Sequence, residues 1–287
     1  MPDGLTELLR ADSMVIAPGV YDCLTAKLAE DAGFQAVYMT GSGTSYAHYG
    51  LPDIGLLTMS EMVANAAAIA GAIDIPVIAD ADNGYGNALN VRRAVQLYEN
   101  AGVAAIHIED QSIPKKCGHF DEKTLIEPEE MTQKIVAAID ARHSDDFLII
   151  ARTDALSVEG FEAAMDRGRY YEAAGADIIF VESPTSVGQI QAIPQSFSVP
   201  SLFNMAEGKT PFLSSAEVSE FGFGLMIIPS THRVVIPAVR EYFAHLYETG
   251  DFGAYSDHLL PWQGWKELVG LEEFRELEAK YSNAVRL

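Results

Sequence analysis

The chain has 287 residues, 48% of them hydrophobic, and 19 lysines and arginines against 41 aspartates and glutamates give a formal charge of −22. So acidic a chain excludes sequence-independent binding to nucleic acid or to an anionic membrane, and a small anionic substrate has to be captured by a local cluster of cations or by a metal. The two cysteines, Cys23 and Cys117, are too few for a disulfide framework; with no signal peptide and no apolar run of about 18 residues, the expected setting is the cytoplasm.

Short apolar runs recur along the chain: "MVIAPGV" (14–20), "AVYMTG" (36–41), "PVIADAD" (76–82), "AIHIED" (105–110), "FLIIARTDA" (147–155), "IIFVES" (178–183), "SLFNMA" (201–206) and "LMIIPS" (225–230). Their continuity suits strands buried on both faces, as in a parallel sheet. Between them lie segments with helical spacing that end in Gly33, Gly102 and Gly175, where helix C-caps belong, and one that opens at Pro128 with two glutamates. Eight strand–helix units are the arithmetic of a (β/α)8 barrel, expected over residues 1–250. A doubly wound open sheet is the alternative, because periodicity cannot show closure. Residues 251–287 leave the alternation, carry two tryptophans and predict an amphipathic helix near 271–282, an extension expected to pack on a neighbouring subunit or, alternatively, on the barrel.

In a parallel barrel the chemistry gathers at the C-terminal ends of the strands. Those ends read Thr40-Gly41-Ser42, Asp80 and Asp82, His107 and Glu109, Arg152 and Asp154, Glu182, Asn204 and Pro229-Ser230. On a strand, Asp80 and Asp82 share one face, and with Glu109 they offer hard oxygen ligands for Mg2+ or, alternatively, Mn2+. "NGYGN" (83–87) lacks the spacing of a nucleotide-binding loop and reads as a turn. Asp53, in "LPDIG", reads alone as a turn acid. Arg152 at the end of an apolar strand suits carboxylate recognition, with an ion pair to Glu182 or Asp154 as the structural alternative. "KKCGH" (115–119) follows the fourth strand, and Lys115, Lys116 and His119 favour the Cys117 thiolate while Gly118 lets the loop bend.

Together, "YMTGSGTS", "GLPDIGLLTMSEM", "IADADNGYGN", "HIEDQSIPKKCGH" and "IARTDA" resemble the isocitrate lyase/phosphoenolpyruvate mutase superfamily from about residue 5 to 245. The resemblance implies a TIM barrel whose eighth helix is exchanged between subunits, in dimers paired into a homotetramer. It implies Mg2+ held by Asp80, Asp82 and Glu109, with Asp53 acting through metal-bound water. Thr40, Gly41, Ser42, Arg152, Glu182 and Asn204 correspond to substrate contacts, and residues 115–119 to a gating loop whose Lys116, Gly118 and His119 meet the substrate. Lys115 and Lys116 would offset substrate charge, Tyr38 or alternatively His107 would be the base, and Cys117 the proton donor.

Lyases of the superfamily carry the K-(K/R)-C-G-H string, so the resemblance implies cleavage of a 2-hydroxy di- or tricarboxylate, such as 2-methylisocitrate or an alkylmalate, to a 2-oxoacid and a carboxylate. Carboxyphosphonoenolpyruvate and phosphoenolpyruvate mutases and oxaloacetate acetylhydrolase are the alternatives. Thr40-Gly41-Ser42 departs from the Ser-Gly-Gly typical of methylisocitrate lyases. Substrate choice is expected to rest on apolar cavity residues such as Tyr46, Phe203 and Ile228.

Overall fold

The computed structural model describes residues 4–11, 13–118, 122–208 and 210–284. All eight apolar runs form strands: β1 (Val15–Val20), β2 (Val37–Met39), β3 (Val77–Asp80), β4 (Ala105–Glu109), β5 (Leu148–Thr153), β6 (Ile178–Val181), β7 (Ser201–Asn204) and β8 (Leu225–Ile228). They pair in chain order, all parallel, and β8 pairs with β1 through Val15 opposite Leu225. The sheet therefore closes, which decides for the barrel over the open sheet.

A helix follows each strand: α1 (Cys23–Asp31), α2 (Met59–Ala70), α3 (Ala88–Asn100), α4 (Pro128–Ala141), α5 (Phe161–Ala173), α6 (Val187–Gln195), α7 (Ser215–Glu220) and α8 (Thr231–Thr249). Local chemistry sets the starts. Asp22, Thr58, Asn87 and Ser214 close capping boxes, and Pro128 opens α4 ahead of Glu129 and Glu130. Gly33, Gly102 and Gly175 stop α1, α3 and α5 with φ of +89°, +84° and +99°, a region in which a Cβ is penalised.

Strand residues alternate between two cores. Tyr38, Ile78, Ile150, Phe180, Leu202 and Ile227 fill the barrel, whereas Val37, Ala79, Ile149, Ile179, Phe203 and Met226 pack between barrel and helices. This parity corrects the expectation for two cavity residues. Phe203 lies against Phe223 at 5.3 Å between centroids, and Ile228 packs on the same outer layer, so neither lines the barrel mouth.

The chain divides into two compact units, Met1–His232 and Arg233–Leu287. The division falls within α8, ahead of the boundary at 250 expected from the sequence. The second unit holds most of α8, then α9 (Trp262–Leu268) and α10 (Leu271–Ala284), the amphipathic helix expected in the tail. Tyr255 stacks edge-on to Tyr242 at 5.1 Å. No residue of α8 is buried, and Val234, Ile236 and Phe243 are exposed. No helix among the described residues is long and apolar enough to cross a membrane.

Candidate active site

The alternation that fills the barrel also builds its mouth. Two residues beyond five of those six barrel-filling side chains comes a polar one: Tyr38 leads to Thr40, Ile78 to Asp80, Ile150 to Arg152, Phe180 to Glu182 and Leu202 to Asn204, whereas Ile227 leads to Pro229. Asp82 arrives differently. The strand stops at Asp80, and Asp82 sits in a left-handed turn at φ +49°, so strand alternation is not what aims it. Tyr85, in the turn after it, also has a positive φ (+62°).

A cavity of about 40 Å3 brings together Tyr38, Thr40, Gly41, Ser42, Asp53, Asp80, Glu109, Lys115, Cys117, Gly118, Arg152, Glu182 and Asn204, with Pro229 from the end of β8, a strand end to which the sequence assigned no role. Asp82 and His107 are buried behind this lining. A larger cleft of about 690 Å3 lies at the other end of the barrel, among Thr6, Glu7, Asp74 and Glu99, and holds none of the strand-end residues.

One side of the cavity is acidic. Asp53, Asp80, Asp82 and Glu109 are all buried. Lys115 enters between them: Nζ lies 2.5 Å from Asp53 Oδ1 and 2.6 Å from Asp82 Oδ1. Burial alone would discharge this lysine, but Asp82, Asp53 and Asp80 outweigh it and hold its pKa well above the ordinary value. Burial pushes the Asp82 carboxyl up to about 6 against the pull of Lys115, with Asp80 and Asp53 adding to the rise. Burial likewise lifts Glu109, although Arg152 and Lys115 draw it down. Asp80 goes the other way, because His107, Lys115 and Arg152 overcome its burial. His107 Nε2 lies 2.9 Å from Asp80 Oδ1 and 3.0 Å from the Tyr38 hydroxyl, making one chain of three groups. Burial, reinforced by Asp80, raises the Tyr38 phenol well above its ordinary value. Gly41 donates its N–H to Asp80 Oδ2 at 3.1 Å, and a Cβ there would fall 2.4 Å from the same oxygen.

The other side is built on Arg152. Its Nε and Nη2 donate to the two oxygens of Asp154 at 2.9 and 3.1 Å, and it approaches Glu109 and Glu182 at 3.5 Å each. The ion pair weighed as the structural alternative is therefore present, in a residue that also lines the cavity. Lys123, which sequence reasoning missed, and Asp110, at the end of the fourth apolar run, complete this side. Lys123 Nζ donates to Asp154 Oδ1 at 2.8 Å, and Asp110 accepts from the Asp154 N–H at 2.9 Å. Asn204 donates to Glu182 Oε2 at 3.3 Å, and its own Oδ1 is buried without a hydrogen-bond partner.

The loop after β4 does not use its cations as expected. Lys115 neutralises the acids, and Lys116 turns outward to Glu122 at 3.3 Å, outside the cavity lining. The Gln111 side chain clamps the Lys116 backbone at both N–H and C=O, each 2.9 Å. The Cys117 N–H donates to the Asp53 carbonyl at 3.1 Å, which ties the thiol-bearing segment to the loop after β2. His119 lies outside the described residues. Tyr46 is partly exposed, and burial together with Cys117 and Asp53 nearby raises its phenol.

As placed, no group of three or more His, Cys, Asp and Glu residues among the described residues is spaced to hold a metal ion. The donor set nevertheless fits a hard divalent cation. Four buried carboxylates face a single ammonium, and Glu109 Oε1 is buried without a hydrogen-bond partner. Beyond the Lys115 ammonium 2.6 Å away, Asp82 Oδ1 has no hydrogen-bond partner among the described residues.

A closed eight-stranded barrel with acids, an arginine and a thiol at its strand ends defines an enzyme of the (β/α)8 class. The phosphoenolpyruvate phosphomutase family model matches residues 5–247, and the chain belongs to that family. It is 46% identical to 2,3-dimethylmalate lyase of Eubacterium barkeri, covering 97% of each chain. It is 42% identical to 2-methylisocitrate lyase of Aeropyrum pernix, covering 97% of this chain and 90% of that one. Among solved structures, oxaloacetate acetylhydrolase bound to 3,3-difluorooxalacetate superposes with a TM-score of 0.93 at 34% identity over 98% of this chain and 97% of that one. Phosphonopyruvate hydrolase in complex with oxalate and Mg2+ gives 0.87 at 36% over 96% and 97%.

Proposed function

We propose that this enzyme is a carbon–carbon lyase that cleaves a substituted 2-hydroxy dicarboxylate of the alkylmalate kind, or a 2-methylisocitrate-like tricarboxylate, to a 2-oxoacid and a second carboxylate. The observation that carries this reading is Cys117, a thiol in the wall of the same small cavity as Arg152, Tyr38 and the acids. Kinship with lyases at 46% and 42% identity supports it.

Mg2+, with Mn2+ as a substitute, would be held by Asp80, Asp82 and Glu109 with Asp53 through water, supplying Lewis-acid stabilisation of developing oxygen charge. The chain's own residues do the rest. Asp154 takes the Nε edge of Arg152, so a substrate carboxylate is received at the Nη1 end, with Thr40, Ser42 and Asn204 around it. Tyr38, whose phenol keeps its own proton, passes that proton to His107 Nε2 in the chain they share with Asp80 as it takes the substrate hydroxyl proton, and His107 acting directly is the second choice. The C–C bond electrons then pass to the departing carboxylate fragment, and Cys117 protonates its carbon.

The cavity of about 40 Å3 is far below the roughly 300–1,000 Å3 of an ordinary ligand pocket. Entry therefore requires movement of the segment that carries Lys115, Cys117 and Gly118. The apolar, unburied α8 favours exchange of this helix between subunits, in dimers paired into a cytoplasmic tetramer.

The test is a Mg2+-dependent screen for 2-oxoacid release from 2,3-dimethylmalate, 2-methylisocitrate and oxaloacetate, with 31P detection of phosphonopyruvate rearrangement in parallel. Release from a branched malate or methylisocitrate is expected, and a Cys117→Ser variant should lose about 10²–10⁴-fold in kcat. Phosphorus rearrangement without C–C cleavage, or full turnover by Cys117→Ser, would overturn the reading.

A further inference from the structure

Lys123 stands outside the cavity lining, yet it is among the most enclosed cations of the molecule, with its side chain 2% exposed. Among the described residues its ammonium makes two contacts. One is the Asp154 carboxylate at 2.8 Å, and the other is the Gly118 carbonyl at 2.7 Å. The first partner belongs to the barrel and the second to the loop that carries Cys117.

Both partners lead to Arg152. Asp154 grips the guanidinium through Nε and Nη2. Gly118 lies directly on it: a Cβ at this position would fall 2.4 Å from Arg152 Nη2 and 2.9 Å from the Glu182 carboxyl carbon. Asp154 is itself fixed, since its N–H donates to Asp110, whose other oxygen accepts from Thr153 and Tyr171 at 2.7 Å each. One ammonium thus joins a rigid strand end to a loop backbone at the point where the loop meets the arginine.

A buried ion pair is a poor stabiliser relative to apolar side chains of similar size, because desolvation offsets the attraction. What an apolar side chain cannot do is bridge a carboxylate and a carbonyl that belong to different elements. We propose that Lys123 is a positioning residue: it registers the seated position of the Gly118 segment against Arg152, and so sets where Cys117 stands relative to a substrate held by that arginine. This rests on the reading that the segment closes over a carboxylate substrate.

The test uses full-length enzyme with Mg2+ and compares wild type with Lys123→Met and with Lys123→Gln, whose side chain is one bond shorter and cannot span both partners. Two quantities are read: the split between kcat and KM on the substrate that turns over, and the rate of Cys117 alkylation by N-ethylmaleimide with and without oxalate, with peptide mapping to separate Cys117 from Cys23. For Lys123→Met, kcat should fall about 10²-fold, the scale of a displacement of about 1 Å at a reacting group, with KM changed much less. Oxalate should lose most of its protection of Cys117, and Lys123→Gln should lie between. A methionine variant that does not fold leaves the glutamine variant to decide by the same readings. Wild-type-like kcat and Cys117 protection in the folded variants overturn the role of Lys123 alone. Failure of oxalate and Mg2+ to protect Cys117 in wild type overturns the reading of the site, and this proposal with it.

Discussion

Two groups of buried charges share the mouth of this barrel and are balanced in different ways. On the acidic side, four carboxylates, Asp53, Asp80, Asp82 and Glu109, face the single ammonium of Lys115, which arrives on a loop. On the other, Arg152, Lys123 and Arg167 stand against Asp154, Glu182 and Asp110, three buried cations to three buried anions, with Arg152 rooted in β5. The first group is short of positive charge and depends on a side chain carried by a loop. The second is neutral by itself. Buried charge is tolerated only when compensated, so the acidic side is built to accept a cation and the Arg152 side to stay as it is.

The largest break in this comparison comes from Arg152→Met. It leaves Lys123 as the cation beside Asp154 and takes the guanidinium away from Glu182, and removal of one partner from a buried pair costs about 3–5 kcal/mol. Urea unfolding should show that loss, and activity should vanish with it.

A smaller effect separates the two sides by their response to metal. Mg2+ at a hundredfold excess over its Kd should stabilise the protein by about 2.7 kcal/mol, read as a rise in Tm that chelation reverses. Lys115→Met, which removes the resident ammonium, should gain more from Mg2+ than wild type does. An equal gain in both would mean that Lys115 and the metal answer to different charges.

The smallest effect sharpens the neutral side. Burial would raise the Asp154 carboxyl, but Arg152 and Lys123 hold it at about 2. A carboxyl depressed in the folded state contributes stability that is present above its unfolded pKa of about 3.9 and is lost as pH falls through the folded value. Asp154→Asn should be less stable than wild type at neutral pH, and the gap should narrow by about 2 kcal/mol between pH 4 and pH 2 in urea titrations.

The barrel was legible because continuous apolar runs and glycine stops are local signals. Each strand begins within a residue or two of the run that predicts it. The strand-end acids and Arg152 were legible for the same reason. Phe203 was readable too, by counting in twos from Leu202 and Asn204, and Ile228 by counting from Leu225 and Ile227, but hydrophobicity alone pointed them at the cavity. Three features had no local signature. Asp82 is aimed by a left-handed turn that strand alternation does not describe. Lys115 and Lys116 are adjacent and chemically alike, yet one is buried among acids and the other pairs with Glu122 in solvent. Lys123 sits in a stretch that looks like a solvated surface, and only the tertiary position of Asp154 makes it a core residue.

The small cavity carries a consequence for time. On the proposed reading, with a cavity of about 40 Å3 and Gly118 resting on Arg152, every turnover has the segment lift once for entry and once for release. The upper bound on the enzyme's rate is then a clock set by backbone motion, of the microsecond-to-millisecond kind. Added viscogen should slow that clock in proportion, even for a substrate whose bond breaks easily.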